Sequence, residues 1–155
     1  MNTDELDEWL GCFLTDMDLR RLEGVSVRIT SERKPRVVDL LKAWHGHVLR
    51  FELEVGLPDS DRTVWGVWDF IAALALRSRL SRGVRKVDQD SLERFKRALD
   101  DVDSRFMKFT EMDEFEIALR LDGGGRSDGE WWWDRIPRVG PIRREADRIK
   151  SALSD

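Results

Sequence analysis

The stretch Val37-Val38-Asp39-Leu40-Leu41-Lys42-Ala43-Trp44-His45-Gly46-His47-Val48-Leu49-Arg50-Phe51-Glu52-Leu53-Glu54-Val55 decides the fold. Within it Val37, Leu41, Trp44, Val48, Phe51 and Val55 follow alternating steps of four and three. A helix turns once in about 3.6 residues, so these six side chains share one face, whereas a strand would scatter them over two. The spacing predicts a long amphipathic helix over 36–55. Leu92, Phe95, Leu99, Val102, Phe106 and Phe109 repeat the pattern and predict a second over 88–109, with Glu93 and Arg97 one turn apart on its wet side.

Between the two lies Thr63 to Leu76, apolar nearly all round, with Asp69 as its one charge. Such a segment reads as a helix buried on several sides. Its start is expected at Asp59-Ser60, after Gly56-Leu57-Pro58, and its end near Ser81-Arg82-Gly83, where arginines suit the negative pole of a helix. Asp69 would then be a buried carboxylate in need of an arginine partner.

The flanks are shorter-ranged. Leu6, Leu10, Phe13, Met17, Leu19 and Leu22 suggest one or two short helices ended by Glu23-Gly24. Cys12, inside Trp9-Leu10-Gly11-Cys12-Phe13-Leu14, reads as a small core residue. Val25 to Ile29 alternates like a short strand, and its best candidate partner, Phe51 to Val55, is also claimed by the helical stripe. Strand and helix or loop therefore stay open for 25–29 and 51–55, with helix preferred for the latter. Thr110-Glu111-Met112-Asp113 looks like a capped start to a short helix reaching Leu121, with Phe115, Ala118 and Leu119 inward. The glycine-rich run 122–129 reads as a flexible loop, and Pro137 and Pro141 make 122–141 irregular before a last helix over 142–153. The expected fold is all-α: an irregular helical bundle in one domain, 1–155. Two or three long antiparallel helices form its frame, with short N-terminal helices and a Trp/Pro-rich segment leading to the last helix.

With 155 residues the chain can bury a core without disulfides or metal. Its 41% hydrophobic and 37% charged residues suit a soluble globule. The net charge of -4 weighs against general nucleic-acid binding. A single cysteine, Cys12, excludes an internal disulfide and a cysteine-based zinc site. The acidic start, Met1 to Glu5, is unlike a signal peptide, and the longest apolar run, Phe70 to Leu76, is too short for a bilayer. A cytoplasmic protein with no membrane partner is expected. The excess of arginine over lysine, 21 to 6, with no tyrosine, suggests a GC-rich bacterial source.

Motifs for chemistry are sparse. His45 and His47 point apart on a helix and cannot form a one-turn metal clip, although with Glu52 and Asp69 they are the best candidate metal or acid–base set. Asp122-Gly123-Gly124-Gly125-Arg126 lacks the Lys-Ser/Thr pair of a phosphate loop. The acids at 100, 101 and 103 and at 111, 113, 114 and 116 read as solvated faces. No cofactor is expected.

The C-terminal segment carries most of the functional expectation. Trp131, Trp132 and Trp133 cannot all face one core, because adjacent side chains diverge. Arg135, Arg138, Arg143, Arg144 and Arg148 follow, and Trp and Arg dominate interface hot spots. Two indoles are expected to plug the bundle, while the third and the arginines meet a partner. This predicts a non-enzymatic interaction module, of the immunity or antitoxin-like neutraliser or accessory-subunit kind. It would bind another protein or itself through Trp131, Trp132, Trp133, Arg135, Arg138, Arg143 and Arg144. The alternatives are a metal-assisted hydrolase of nucleotides or phosphoesters built on His45, His47, Glu52 and Asp69, and a nucleic-acid binder working through the arginine-rich tail.

Overall fold

In a computed structural model, residues 2–58, 63–123 and 129–155 are described. The protein is predominantly α-helical, with several long helices packing together and one small sheet. The helices are α1 (Thr3–Gly11), α2 (Asp16–Leu22), α3 (Val37–Glu54), α4 (Val67–Val84), α5 (Gln89–Phe109), α6 (Ile117–Asp122) and α7 (Pro141–Ser154). Strands β1 (Thr110–Met112) and β2 (Arg135–Pro137) pair antiparallel, Glu111 opposite Ile136, and a 3-10 turn spans Trp131–Asp134. No helix among the described residues is long and apolar enough to cross a membrane. The chain divides into two compact units: Met1–Leu49 with Leu76–Ser104, and Arg50–Ala75 with Arg105–Asp155.

In the first unit the two predicted stripes meet. Val37, Leu41, Trp44 and Val48 of α3 and Phe95, Leu99 and Val102 of α5 are all buried. Leu10 and Leu22 of the N-terminal helices, and Leu14 of the turn between them, join the core. Asn2 and Thr15 cap α1 and α2, each in a reciprocal box with the acid three residues on, Glu5 and Asp18. Cys12 is exposed, contrary to the core role expected of it. α1 stops at Gly11, and the turn that follows points Leu10 and Leu14 inward instead.

The segment 25–29 finds its partner next door. The Val27 N–H donates to the Pro35 carbonyl at 2.9 Å and the Val37 N–H to that of Val25 at 2.8 Å, with a bridge between Ser26 and Arg36. The partner is therefore 33–37, and Phe51 to Glu54 is helical. Gly83 lets α4 approach this hairpin: a Cβ there would lie 2.7 Å from Val37 Cγ2 and 3.0 Å from Val27 Cγ2.

The second unit is built on rings. Phe70 and Phe106 stack with centroids 6.0 Å apart, and Phe51 meets Phe70 edge-on at 5.5 Å. A smaller apolar cluster of Ile117, Ile136 and Ala146, with Phe115, Leu121 and Ile149 against it, lies under the sheet and α7. Two expectations fail here. Asp69 is exposed: it sits in the first turn of α4 and accepts the Gly66 N–H at 2.9 Å, a position where a carboxylate satisfies an orphan donor beside the positive helix pole. The Thr110 to Asp113 stretch begins a strand, with the short helix delayed to Ile117. The Thr110 hydroxyl donates back to the Phe106 carbonyl at 2.8 Å, so it closes α5 instead of opening α6. Asp59, Ser60 and residues 124–128 of the glycine loop lie outside the described residues.

Candidate interaction surface

The 3-10 turn explains how three consecutive indoles are accommodated. With about three residues per turn, successive side chains leave roughly 120° apart. Trp132 and Trp133 go into the second unit's core, at 2% and 5% exposure, while Trp131 is half-buried. Trp131 lies 6.0 Å from the Phe106 ring and 5.7 Å from Trp132, the latter edge-on. In this conformation Trp132 and Trp133 are packing residues and present no face outward.

The arginine row is engaged within the same unit. Arg135 donates from Nε to the Thr110 hydroxyl at 3.1 Å and from Nη2 to the Thr110 and Met107 carbonyls at 2.7 and 3.3 Å. Arg138 donates to the Lys108 carbonyl at 2.6 Å. Both therefore sit on carbonyls at the end of α5, where the helix leaves acceptors unsatisfied and its negative pole attracts cations. Burial, helped by the neighbouring Arg138, lowers the pKa of Arg135 below the usual guanidinium value. Arg143 bridges Glu111 at 2.7 Å and Asp147 at 3.2 Å, and Arg144 donates to the Leu57 carbonyl at 2.9 Å. The geometry of this row is that of a clasp holding the C-terminal segment to its own unit.

The candidate metal set is not gathered. His45 is buried against the Trp9 ring, centroids 4.0 Å apart, in the first unit, which also holds His47. Glu52 is held by Arg105 at 3.0 Å and Asp69 by the Gly66 N–H, both in the second. Among the described residues no three His, Cys, Asp or Glu side chains form a group that could hold a metal ion.

The exposed indole is Trp68, which sequence reasoning placed with Trp65 inside a buried helix. Trp68 is 60% exposed on the first turn of α4. The clue was local: a Gly-x-x-Asp spacing, Gly66 to Asp69, marks a helix start, and the first turn of a packed helix commonly faces water. Trp65 is half-buried, its ring edge-on to Phe51 at 5.4 Å, and the Arg50 guanidinium lies 4.0 Å over it. Glu54 fixes this pair: it accepts the Trp65 N–H at 2.7 Å and bridges Arg50 at 3.2 Å. Val55, Trp65, Pro137, Val139, Pro141 and Ile142 line a shallow apolar groove beside it.

A second concavity of about 320 Å³ opens beside β1, with Ile117, Ile136 and Ala146 in its lining and Glu111, Arg143 and Lys150 among its charged residues. Met112, 58% exposed, lines it too. Asp113 also lines it although the residue is buried; its carboxylate accepts the Ala118 N–H at 3.2 Å. Burial pushes the Asp113 carboxyl above its ordinary value, against the lowering effect of the backbone donors at Ala118 and Ile117 and of Arg143. No family model, curated protein or solved structure matches the chain.

Proposed function

We propose that the protein is a non-enzymatic interaction module that binds another protein through its second unit, with Trp68 as the anchoring side chain. The observation that carries this reading is the exposure of that indole on the first turn of a helix. A large aromatic ring with two side-chain torsions loses little freedom on docking and removes much apolar surface from water. The same unit also carries Trp65 under Arg50 and an apolar groove that Trp65 lines, residue types that interfaces favour. A neutraliser of the immunity or antitoxin kind, or an accessory subunit, in a bacterial cytoplasm, is the role that such a small helical module suits.

The test is affinity capture from the native cell with the wild-type chain and with Trp68→Ala, followed by titration of the captured partner. The variant keeps its melting temperature and loses at least tenfold in affinity. A folded Trp68→Ala that binds the same partner as tightly as wild type removes the anchor. A concentration-dependent mass with no second protein present would instead make the partner another copy of this chain.

A further inference from the structure

Positive charge in this chain is concentrated in two segments of the first unit. Residues 24–36 and 77–86 together hold nine Lys or Arg and one acid, Glu32, against 27 basic and 31 acidic residues in the whole chain. The fold brings the two segments together. The Lys86 ammonium donates to the Ser26 carbonyl at 3.2 Å, and Gly83 of α4 faces Val27 of the hairpin. Lys34 from one segment and Lys86 from the other line an open depression of about 240 Å³, with Gly24, Val25 and Ser26 as its remaining wall.

The pairing habits of the chain set this surface apart. Several arginines elsewhere are matched to acids, Arg50 to Glu54, Arg94 to Asp18, Arg97 to Glu93, Arg105 to Glu52 and Arg143 to Glu111, and Arg135, Arg138 and Arg144 are held by main-chain carbonyls. Among the described residues, Arg28, Arg33, Lys34, Arg79, Arg82 and Arg85 have no such match, although Arg36 and Arg77 in the same segments pair with Asp39 and Asp103. Cations at the end of α4 suit its negative pole, which accounts for Arg82 and Arg85. It does not account for Arg28, Arg33 and Lys34, which lie on the hairpin. Six like charges collected without counter-ions raise the energy of the isolated protein and favour an anionic partner.

We infer that the hairpin 25–36 and the C-terminal end of α4 form a binding surface for the phosphate backbone of a nucleic-acid duplex. A duplex is favoured over a single strand because neither segment contains an aromatic residue on which an unpaired base could stack. The surface offers clustered charges, which position a backbone but do not read sequence. This surface lies on the unit that does not hold Trp68, so the inference stands apart from the proposed protein contact.

The experiment is fluorescence anisotropy of a labelled 20-base-pair DNA duplex, titrated with the full chain at 50, 100 and 200 mM NaCl. With four phosphate contacts the log–log slope is about -3.6, a loss of roughly 150-fold in affinity across that range. The exposed substitutions Arg33→Ala/Lys34→Ala, and separately Arg82→Ala/Arg85→Ala, each cut affinity at least fivefold and each flatten the slope by about 2. Arg20→Ala/Lys96→Ala, on the same unit but outside the two segments, changes neither. Trp68→Ala also leaves duplex binding intact, so failure of one surface is distinguishable from failure of the other. Absent binding at 50 mM, or both double variants binding like wild type while folded, overturns the inference. Equal affinity and slope for a labelled polyglutamate peptide also overturns it, and assigns the surface to an acidic protein.

Discussion

Arg94 grips Asp18 with both arms of its guanidinium, Nε to Oδ2 at 2.7 Å and Nη2 to Oδ1 at 2.7 Å. Asp18 is wholly buried, and it also takes the Ser91 hydroxyl at 2.7 Å and the Thr15 N–H at 2.9 Å. Arg94 is steadied in turn by the Asp90 carbonyl. One carboxylate thus ties the cap of α2 to the first turns of α5, across 76 positions of sequence.

Removing that carboxylate strands a guanidinium and two other donors, the Ser91 hydroxyl and the Thr15 N–H. Asp18→Ala is expected to cost about 3 kcal/mol, the scale for breaking a buried pair from one side. The Arg94 fork holds Asp18 far below the usual carboxylate range, although burial opposes it. Because the folded value is depressed, the stabilisation is complete above the unfolded value of about 3.9 and is lost as pH falls below it. Denaturant titrations at pH 7 and pH 3 should therefore show wild type and Asp18→Ala converging at the lower pH. An undiminished gap at pH 3 would refute the assignment.

The tryptophans divide by mutation as they do by burial. Trp132→Ala empties a core site and should cost about 3–5 kcal/mol. Trp68→Ala removes a ring that is mostly in water and should change stability by less than about 1 kcal/mol. Thermal melts of the two variants side by side give the comparison, and a Trp68→Ala as damaging as Trp132→Ala would place that ring in the core.

The sequence disclosed whatever depended on one element's own periodicity. Both long stripes, in α3 and α5, were legible because six positions each repeat at helical spacing and the buried faces match them. What needed a distant partner was hidden. Thr110 has the type and spacing of a helix cap, and only its pairing opposite Pro137 makes it a strand residue. The hairpin at 25–37 was half-read: the alternation was visible, but the return segment 33–37 contains Pro35 and three basic residues, Arg33, Lys34 and Arg36, which mask any apolar rhythm. The three adjacent indoles were correctly expected to diverge. That Arg135 and Arg138 would sit on the end of α5 could not be read, since carbonyls carry no sequence signal.

Gly140 is a position where a side chain cannot be added cheaply. Its φ is 99°, in the range that favours glycine, and a Cβ there would lie 2.6 Å from the Val55 carbonyl oxygen and 2.8 Å from the Val55 Cα. Backbone does not yield as a side-chain tip does. Gly140→Ala should cost about 2–3 kcal/mol, from left-handed strain and from pushing the start of α7 away from the end of α3. Gly24→Ala, with nothing within 4 Å of its Cβ position, is the matched control. Equal melting temperatures for the two variants would contradict the close approach.

Asp113 should show the opposite pH behaviour to Asp18. Burial raises its folded value above the unfolded one, so the folded protein holds a proton that the unfolded chain releases. Below about pH 3.9 both states are protonated and the group contributes no pH dependence. As pH rises from there through the raised value the folded state becomes relatively less stable, and above it the penalty is complete. Asp113→Asn keeps an oxygen able to accept the Ala118 N–H but carries no titrating proton. The variant should therefore gain stability relative to wild type on going from pH 3.5 to pH 7, as read from denaturant midpoints at closely spaced pH. The gain should come without any change in Trp68-dependent binding, because the carboxylate's contacts are with the start of α6. A difference between variant and wild type that is flat across this range would show that Asp113 ionises normally inside the fold.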